Sequence, residues 1–175
     1  MVYKLCIVLL ITFSNLFALN ELEKIKTFKA TFEQIVENSS SNKIIYKGNV
    51  FIKNDGKVLW QYLTPIKKNV YLLRDIVVID EPELEQVIYS RLKQEINILN
   101  LLKNSKKIDK QTYSSKIDER VYFIKIIEGK IVSLKFSDEL ENTIMIKFSS
   151  IEQNIELRNE IFRFVPPEYY DIIKK

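Results

Sequence analysis

Residues 43–62 read KIIYKGNVFIKNDGKVLWQY. Ile45, Tyr46, Val50, Phe51 and Ile52 crowd the first half with aromatic and β-branched side chains, and Val58, Trp60 and Tyr62 recur at every second position in the other. Between them stands Asn54-Asp55-Gly56. Asp-Gly between two such runs is a strong hairpin signal, because both residues tolerate positive φ. The stretch therefore predicts antiparallel strands over 43–53 and 57–63, the second ended by Pro65.

The same period extends outward. From Thr27, Phe28, Ala30, Phe32, Gln34 and Val36 fall every second residue, which predicts a strand, and the turn composition of 38–42 joins it to the next. Ahead of it, Leu22 and Ile25 with Glu21 and Glu23 fit a short amphipathic helix. Downstream, 69–73 and 76–80 predict a hairpin about Arg74-Asp75, and 84–92 a further strand. Ile98, Leu99, Leu101 and Leu102 then take helical spacing within 93–103. Strands resume near Thr112 and continue over 121–127, 130–136, 142–151 and 161–164, with Glu128-Gly129, Ser137-Asp138 and Arg158-Asn159 between them. Strands spaced by about 8 to 12 residues with turn signals describe an antiparallel sandwich or barrel.

Several strands are apolar on both sides, as in Val70-Tyr71-Leu72-Leu73 and Ile76-Val77-Val78-Ile79. A sheet with one wet face alternates cleanly, so both faces here are covered or enclose something. A strongly curved sheet whose concave side faces a few short helices meets that condition and can leave an apolar pocket. With 175 residues and 46% hydrophobic content, the chain has enough apolar material for one domain and a sizeable core.

The N-terminus runs from Lys4 through the apolar stretch 5–13 to Ala18, the order of a secretory signal. A membrane anchor would need roughly 20 apolar residues. The expected organisation is a signal over 1–18 and a single domain over 19–175. Cys6, the only cysteine, lies inside the apolar run, so the mature chain would hold neither a disulfide nor a lipid-bearing N-terminal Cys. Removing Lys4 changes 27 basic against 23 acidic residues, net +4, to 26 against 23, net +3.

That mild excess, with Lys and Glu alternating along the chain, gives no basic face of the kind nucleic acid requires. Lys103, Lys106, Lys107 and Lys110 form the densest basic cluster and read first as a solvated loop. With no His, the chain holds no Ser-His-Asp or Cys-His arrangement and no imidazole metal site. Its three glycines, Gly48, Gly56 and Gly129, are too far apart for a phosphate-cradling loop. Glu81, Glu83 and Glu85 would share one face if extended, but acid-base work needs a buried member, and three like charges beside Pro82 read as a solvated edge. Trp60 and Tyr62 read as core or cavity lining ahead of a sugar-stacking pair. No catalytic residue, metal site or cofactor is expected.

Phe28-x-Ala30-x-Phe32-x-Gln34, Gly48 opening a strand, Trp60-x-Tyr62-x-x-Pro65, Glu81-Pro82-x-Leu84-x-Gln86-Val87 and Phe162-x-Phe164-x-Pro166-Pro167 follow one another in an order that resembles the periplasmic outer-membrane lipoprotein carrier (LolA) family. The resemblance covers essentially the whole mature chain. It implies an incomplete antiparallel β-barrel with a helical lid over a hydrophobic cavity for the acyl chains of lipoproteins. Those would be received from an inner-membrane ABC lipoprotein-release transporter and carried through the periplasm, as a monomer, to a possible outer-membrane lipoprotein acceptor. By position, Phe28, Phe32, Trp60, Tyr62 and Leu72 would belong to the lipid cavity, with Trp60 lining it near the mouth and Phe28, Phe32 and Tyr62 as wall or core, and Ile98, Leu99, Leu101 and Leu102 would belong to the lid.

The family commonly has Arg-Pro in the hairpin before the Trp, where the Arg latches the lid. Here Asn54-Asp55 occupies that place, and Asn lacks the charge and five-donor fork of Arg. A Pro common in the family's lid is also absent around Asn97. The alternative of another class is a sensor or assembly module of the same fold that grips a protein segment on its concave face. A third, a small carboxylate enzyme, requires Glu81, Glu83 or Glu85 to be buried.

Overall fold

The computed structural model describes residues 24–73, 75–91 and 98–175. Most segments in which apolar side chains alternate are extended. Strands β1 (Thr27–Glu37), β2 (Lys43–Lys53), β3 (Lys57–Thr64), β4 (Lys68–Leu73), β5 (Ile76–Glu81) and β6 (Gln86–Arg91) follow as a meander. Helix α1 (Ile98–Lys103) then leads to a second meander of β7 (Lys106–Lys107), β8 (Thr112–Ile117), β9 (Arg120–Ile127), β10 (Lys130–Ser137) and β11 (Thr143–Gln153). Strand β12 (Asp171–Lys174) comes after a long irregular segment.

All twelve strands among the described residues lie in one sheet ordered β12-β6-β5-β4-β3-β2-β1-β11-β10-β9-β8-β7. The meanders join where β1 pairs with β11, and the sheet stays open between β12 and β7. The incomplete, mainly antiparallel barrel expected from the sequence is therefore what forms, with one exception: β12 runs parallel to β6.

The sheet curls around α1, which touches both β8 and β2. Those strands are five steps apart in the sheet order, which in a flat sheet is roughly 24 Å at about 4.8 Å per step. A six-residue helix is only about 9 Å long. Irregularities in register at Lys29/Thr31, Lys47/Gly48 and Ile131/Ser133 supply local bending.

Pairing register assigns the two faces. Phe28, Ala30 and Phe32 of β1 lie level with Ile52, Val50 and Gly48 of β2, and these with Val58, Trp60 and Tyr62 of β3. On the other side Phe148 and Ile146 of β11 lead to Leu134 of β10, Ile124 of β9 and Tyr113 of β8. This inner face, with α1 and Ile25, forms the main apolar core.

A second core lies on the outer face. Leu59, Tyr71, Val78 and Val87, of opposite parity in β3 to β6, are buried under Leu157, Ile161, Phe162, Phe164 and Tyr170 of the segment between β11 and β12. The Tyr71 and Phe164 rings lie 5.6 Å apart. This C-terminal strap, rather than helices, is why β4 and β5 are apolar on both sides. On β9, which it does not cover, the outward Val121, Phe123 and Ile127 stay exposed.

Several sequence expectations need correction. Residues 161–164 form no strand: Asn159–Phe162 is a 3-10 turn closed by the Arg163 N–H donating to the Glu160 carbonyl, because Ile161, Phe162 and Phe164 serve as anchors on the outer face rather than as a ladder. Strands β7 and β12 went unforeseen; each is short and carries little apolar alternation. Glu81, Glu83 and Glu85 do not share an extended face, since Pro82–Leu84 is a 3-10 turn and Glu85 has φ 49°. At Asn54-Asp55-Gly56 only Gly56 takes positive φ, so the loop is a three-residue turn; among the described residues a two-residue turn with both φ positive is at Glu128-Gly129. Gly48 sits inside β2 instead of opening a strand. The expected signal over 1–18, the short helix around Leu22 apart from Ile25, and the 93–97 part of the expected helix lie outside the described residues.

Candidate functional site

The aromatic residues singled out by sequence converge on the inner face. The Phe32 ring packs edge-on against Trp60, with centroids 5.0 Å apart, and against Tyr62, 5.2 Å apart. Phe28 is fully buried and meets Phe148 edge-on at 5.3 Å, and Phe148 lies 6.3 Å from Trp60. Phe28 and Phe32 are thus core beneath the surface, while Trp60, Tyr62 and Leu72 are half-buried at its margin. Leu72 lies opposite Val58 on one side and Val77 on the other.

Gly48 makes this arrangement possible. A Cβ there would sit 1.8 Å from the Gln61 carbonyl oxygen and 3.0 Å from the Phe32 ring, so only glycine lets Phe32 settle between Trp60 and Tyr62. Tyr46 completes the group at 5.8 Å from Tyr62. Its inward parity in β2, level with Gln34, was the signal that could have found it. The Tyr62 hydroxyl donates to Gln34 Oε1 at 3.0 Å, and burial pushes its pKa up to about 12. Tyr62 is thus a neutral donor at physiological pH, and Gln34 fixes its ring.

Ile98, Leu99, Leu101 and Leu102 are all buried in the inner core, Leu101 completely. Apolar side chains at i, i+1, i+3 and i+4 cover most of a short helix's circumference, so α1 is enclosed by the curl of the sheet. Asn54 lies exposed at the β2–β3 hairpin tip, where its backbone N–H donates to the Lys26 carbonyl at 2.9 Å. Among the described residues its side chain makes no hydrogen bond to α1.

At the end of the barrel where β8 meets β9 lies a cleft of about 680 Å³ with Ile117, Tyr122 and Phe136 as apolar lining and Arg120, Asp138 and Glu139 at its margin. Arg120 reaches the Tyr122 hydroxyl at 3.4 Å and Glu139 at 3.5 Å. Glu83 and Glu85 are exposed, and Glu81 accepts from Gln86 Nε2 at 2.5 Å, so the burial that a catalytic carboxyl needs is missing. Lys103, Lys106, Lys107 and Lys110 are all exposed, two of them forming β7. Among the described residues no helix is long and apolar enough to cross a membrane.

A curled sheet, an apolar inner face and an enclosed helix narrow the comparison with known proteins. The family model "Outer membrane lipoprotein carrier protein LolA" matches residues 23–165. This chain belongs to the LolA family. Proteins named outer-membrane lipoprotein carrier protein are similar over most of their length. The one from Campylobacter jejuni is 33% identical over 98% of this chain and 99% of its own. That from Helicobacter pylori is 34% identical over 88% and 83%. Among solved structures, a LolA superfamily protein from Nitrosomonas europaea superposes with a TM-score of 0.52 at 11% identity, covering 85% of this chain and 97% of that one. A conserved protein from Thermus thermophilus gives 0.55 at 9% identity, covering 91% and 98%. LolA carrier proteins are binding proteins rather than enzymes.

Proposed function

We propose that this LolA-family chain is a periplasmic carrier that binds the acyl chains of lipoproteins released from the inner membrane and shuttles them to the outer membrane. In this reading residues 1–18 are a cleaved signal and 19–175 a single, monomeric carrier domain. Lipoproteins come from an inner-membrane ABC lipoprotein-release transporter and pass to an outer-membrane acceptor where one exists. Trp60, Tyr62 and Leu72 form the wall over a core of Phe28 and Phe32, α1 is the lid, and Asn54 stands where the family's latch would be.

The observation that carries this reading is α1 itself. Its four apolar side chains occupy the concave face, the surface a lipid would use. Each buried methylene contributes about 0.8 kcal/mol, so two long acyl chains would bind almost irreversibly in an empty cavity. Displacing four buried aliphatic side chains costs about 1.5–3 kcal/mol apiece, which offsets part of that gain and keeps release feasible.

The test is mass spectrometry of protein purified from the periplasm, together with transfer assays on Trp60→Glu and Leu101→Glu. Acylated polypeptide in the extract and weakened transfer in both variants are expected. A peptide without acyl chains would favour the sensor reading, and unchanged transfer in both variants would overturn the carrier reading.

A further inference from the structure

Lys68 stands on the inner face of β4, directly opposite Tyr62 of β3. The other inward residues of β4 are Val70 and Leu72, so a lysine here interrupts an apolar surface. Its ammonium lies over the Tyr62 ring at 4.8 Å and within 5.8 Å of the Tyr46 ring. Tyr62 is held by Gln34 and packed by Phe32, so the seat is rigid.

Among the described residues no carboxylate comes within ion-pair distance of Lys68. Glu81, beside Asp80, whose partner in β4 is Asn69, accepts from Gln86 Nε2 at Oε2 instead. Ring faces attract a cation through their quadrupole without using its N–H groups in ordinary hydrogen bonds. The result is a half-buried, pre-positioned cation with three donors to offer, at the border of the stripe formed by Trp60, Val70 and Ile79. Such a border suits a molecule that is apolar along its chains and bears oxygen acceptors at one end.

We propose that Lys68, seated on Tyr62 and Tyr46, binds the ester carbonyl oxygens of the diacylglyceryl group while the acyl chains lie along the apolar inner face. This rests on the carrier reading and names a polar contact within it. Lys68 sets which end of the lipid lies toward the β3–β4 loop, and so where the attached polypeptide leaves the barrel.

The experiment crosses two ligands with three proteins, read by the fluorescence of Trp60, the only tryptophan. The probes are a synthetic peptide on S-(2,3-dipalmitoyloxypropyl)cysteine and its dialkyl ether analogue, which keeps the chains and lacks the ester carbonyls. Wild type is expected to prefer the ester roughly tenfold, the size of one charge-assisted hydrogen bond. Lys68→Met should lose that preference with ether binding unchanged, and Lys68→Arg should retain it. A preference that survives in Lys68→Met, or a Lys68→Met loss equal for both probes, would overturn the inference. Equal wild-type affinity for the two probes would sink this inference alone, whereas binding of neither would sink the carrier reading with it. Competition by phosphatidylglycerol that depends on Lys68, with no ester preference, would assign the site to a phosphate and reject the ester contact.

Discussion

The Phe32 ring stands edge-on between the indole of Trp60, at 5.0 Å and 77°, and the Tyr62 ring, at 5.2 Å and 77°, above the one β2 position without a side chain. Three aromatic rings on two non-adjacent strands are thus interlocked through a glycine on the strand between them.

Gly48→Ala is expected to destabilise the protein by about 3 kcal/mol or more, because the added methyl overlaps the Gln61 carbonyl, which is backbone and cannot step aside. Gly129→Ala meets nothing within 4 Å and should cost only the strain of φ +72°, about 1 kcal/mol. Urea unfolding of the two variants measures the contrast, and equal losses would contradict it.

Phe162→Ala should cost about 3–5 kcal/mol, since the side chain is buried in the outer core. Lipopeptide affinity, measured at a temperature where the variant is folded, should stay within about twofold of wild type, because the strap and the inner face lie on opposite sides of the sheet.

Leu101→Ala separates the two duties assigned to α1. It should lower stability by about 2–5 kcal/mol. If the helix and the acyl chains compete for one surface, it should also tighten net lipopeptide binding and slow release. Weaker binding with unchanged release would argue against competition.

The β10–β11 turn predicts a dependence on pH. Asp138 Oδ1 accepts from the N–H groups of Leu140 and Asn142, both at 2.9 Å, and Oδ2 accepts from Asn142 Nδ2 at 2.9 Å. These bonds, that to the Asn142 side chain first, hold its carboxyl below the ordinary value of 3.8. A depressed carboxyl contributes stability that is fully present above the unfolded value and is lost as pH falls through the lower folded one. The β1–β2 turn has the same pattern with Asn38, whose Oδ1 accepts from Ser40 and Asn42. Asp138→Asn should therefore fold almost as well at pH 7 and lose less Tm than wild type on acidification below about 3.9, which thermal melts across pH would detect.

Much of this was legible in residues 43–62. Period two fixed β2, β3 and β1 nearly to the residue, because inward Phe28, Ala30, Phe32, Val50 and Ile52 recur at every second position and Val58, Trp60 and Tyr62 continue the pattern in β3. The strap was not legible: Phe162 and Phe164 also alternate, and nothing local distinguishes side chains that anchor a loop on a distant sheet from those that line a strand. Trp60 and Tyr62 carried their own signal. The seat of Lys68 did not, because it exists only where β2, β3 and β4 lie side by side.

The seam between β1 and β11 has a consequence for how the molecule is made. Thr31 and Ser149, hydrogen-bonded across it, are separated by 118 residues. Each meander can form from near neighbours, but the seam needs a long loop closure, the kind of contact that slows folding. Synthesis proceeds from the N-terminus, so β1 waits with one bare edge until β11 has emerged. A nascent chain of this topology exposes a sticky strand for most of its synthesis, and its yield should depend on how well that edge is guarded meanwhile.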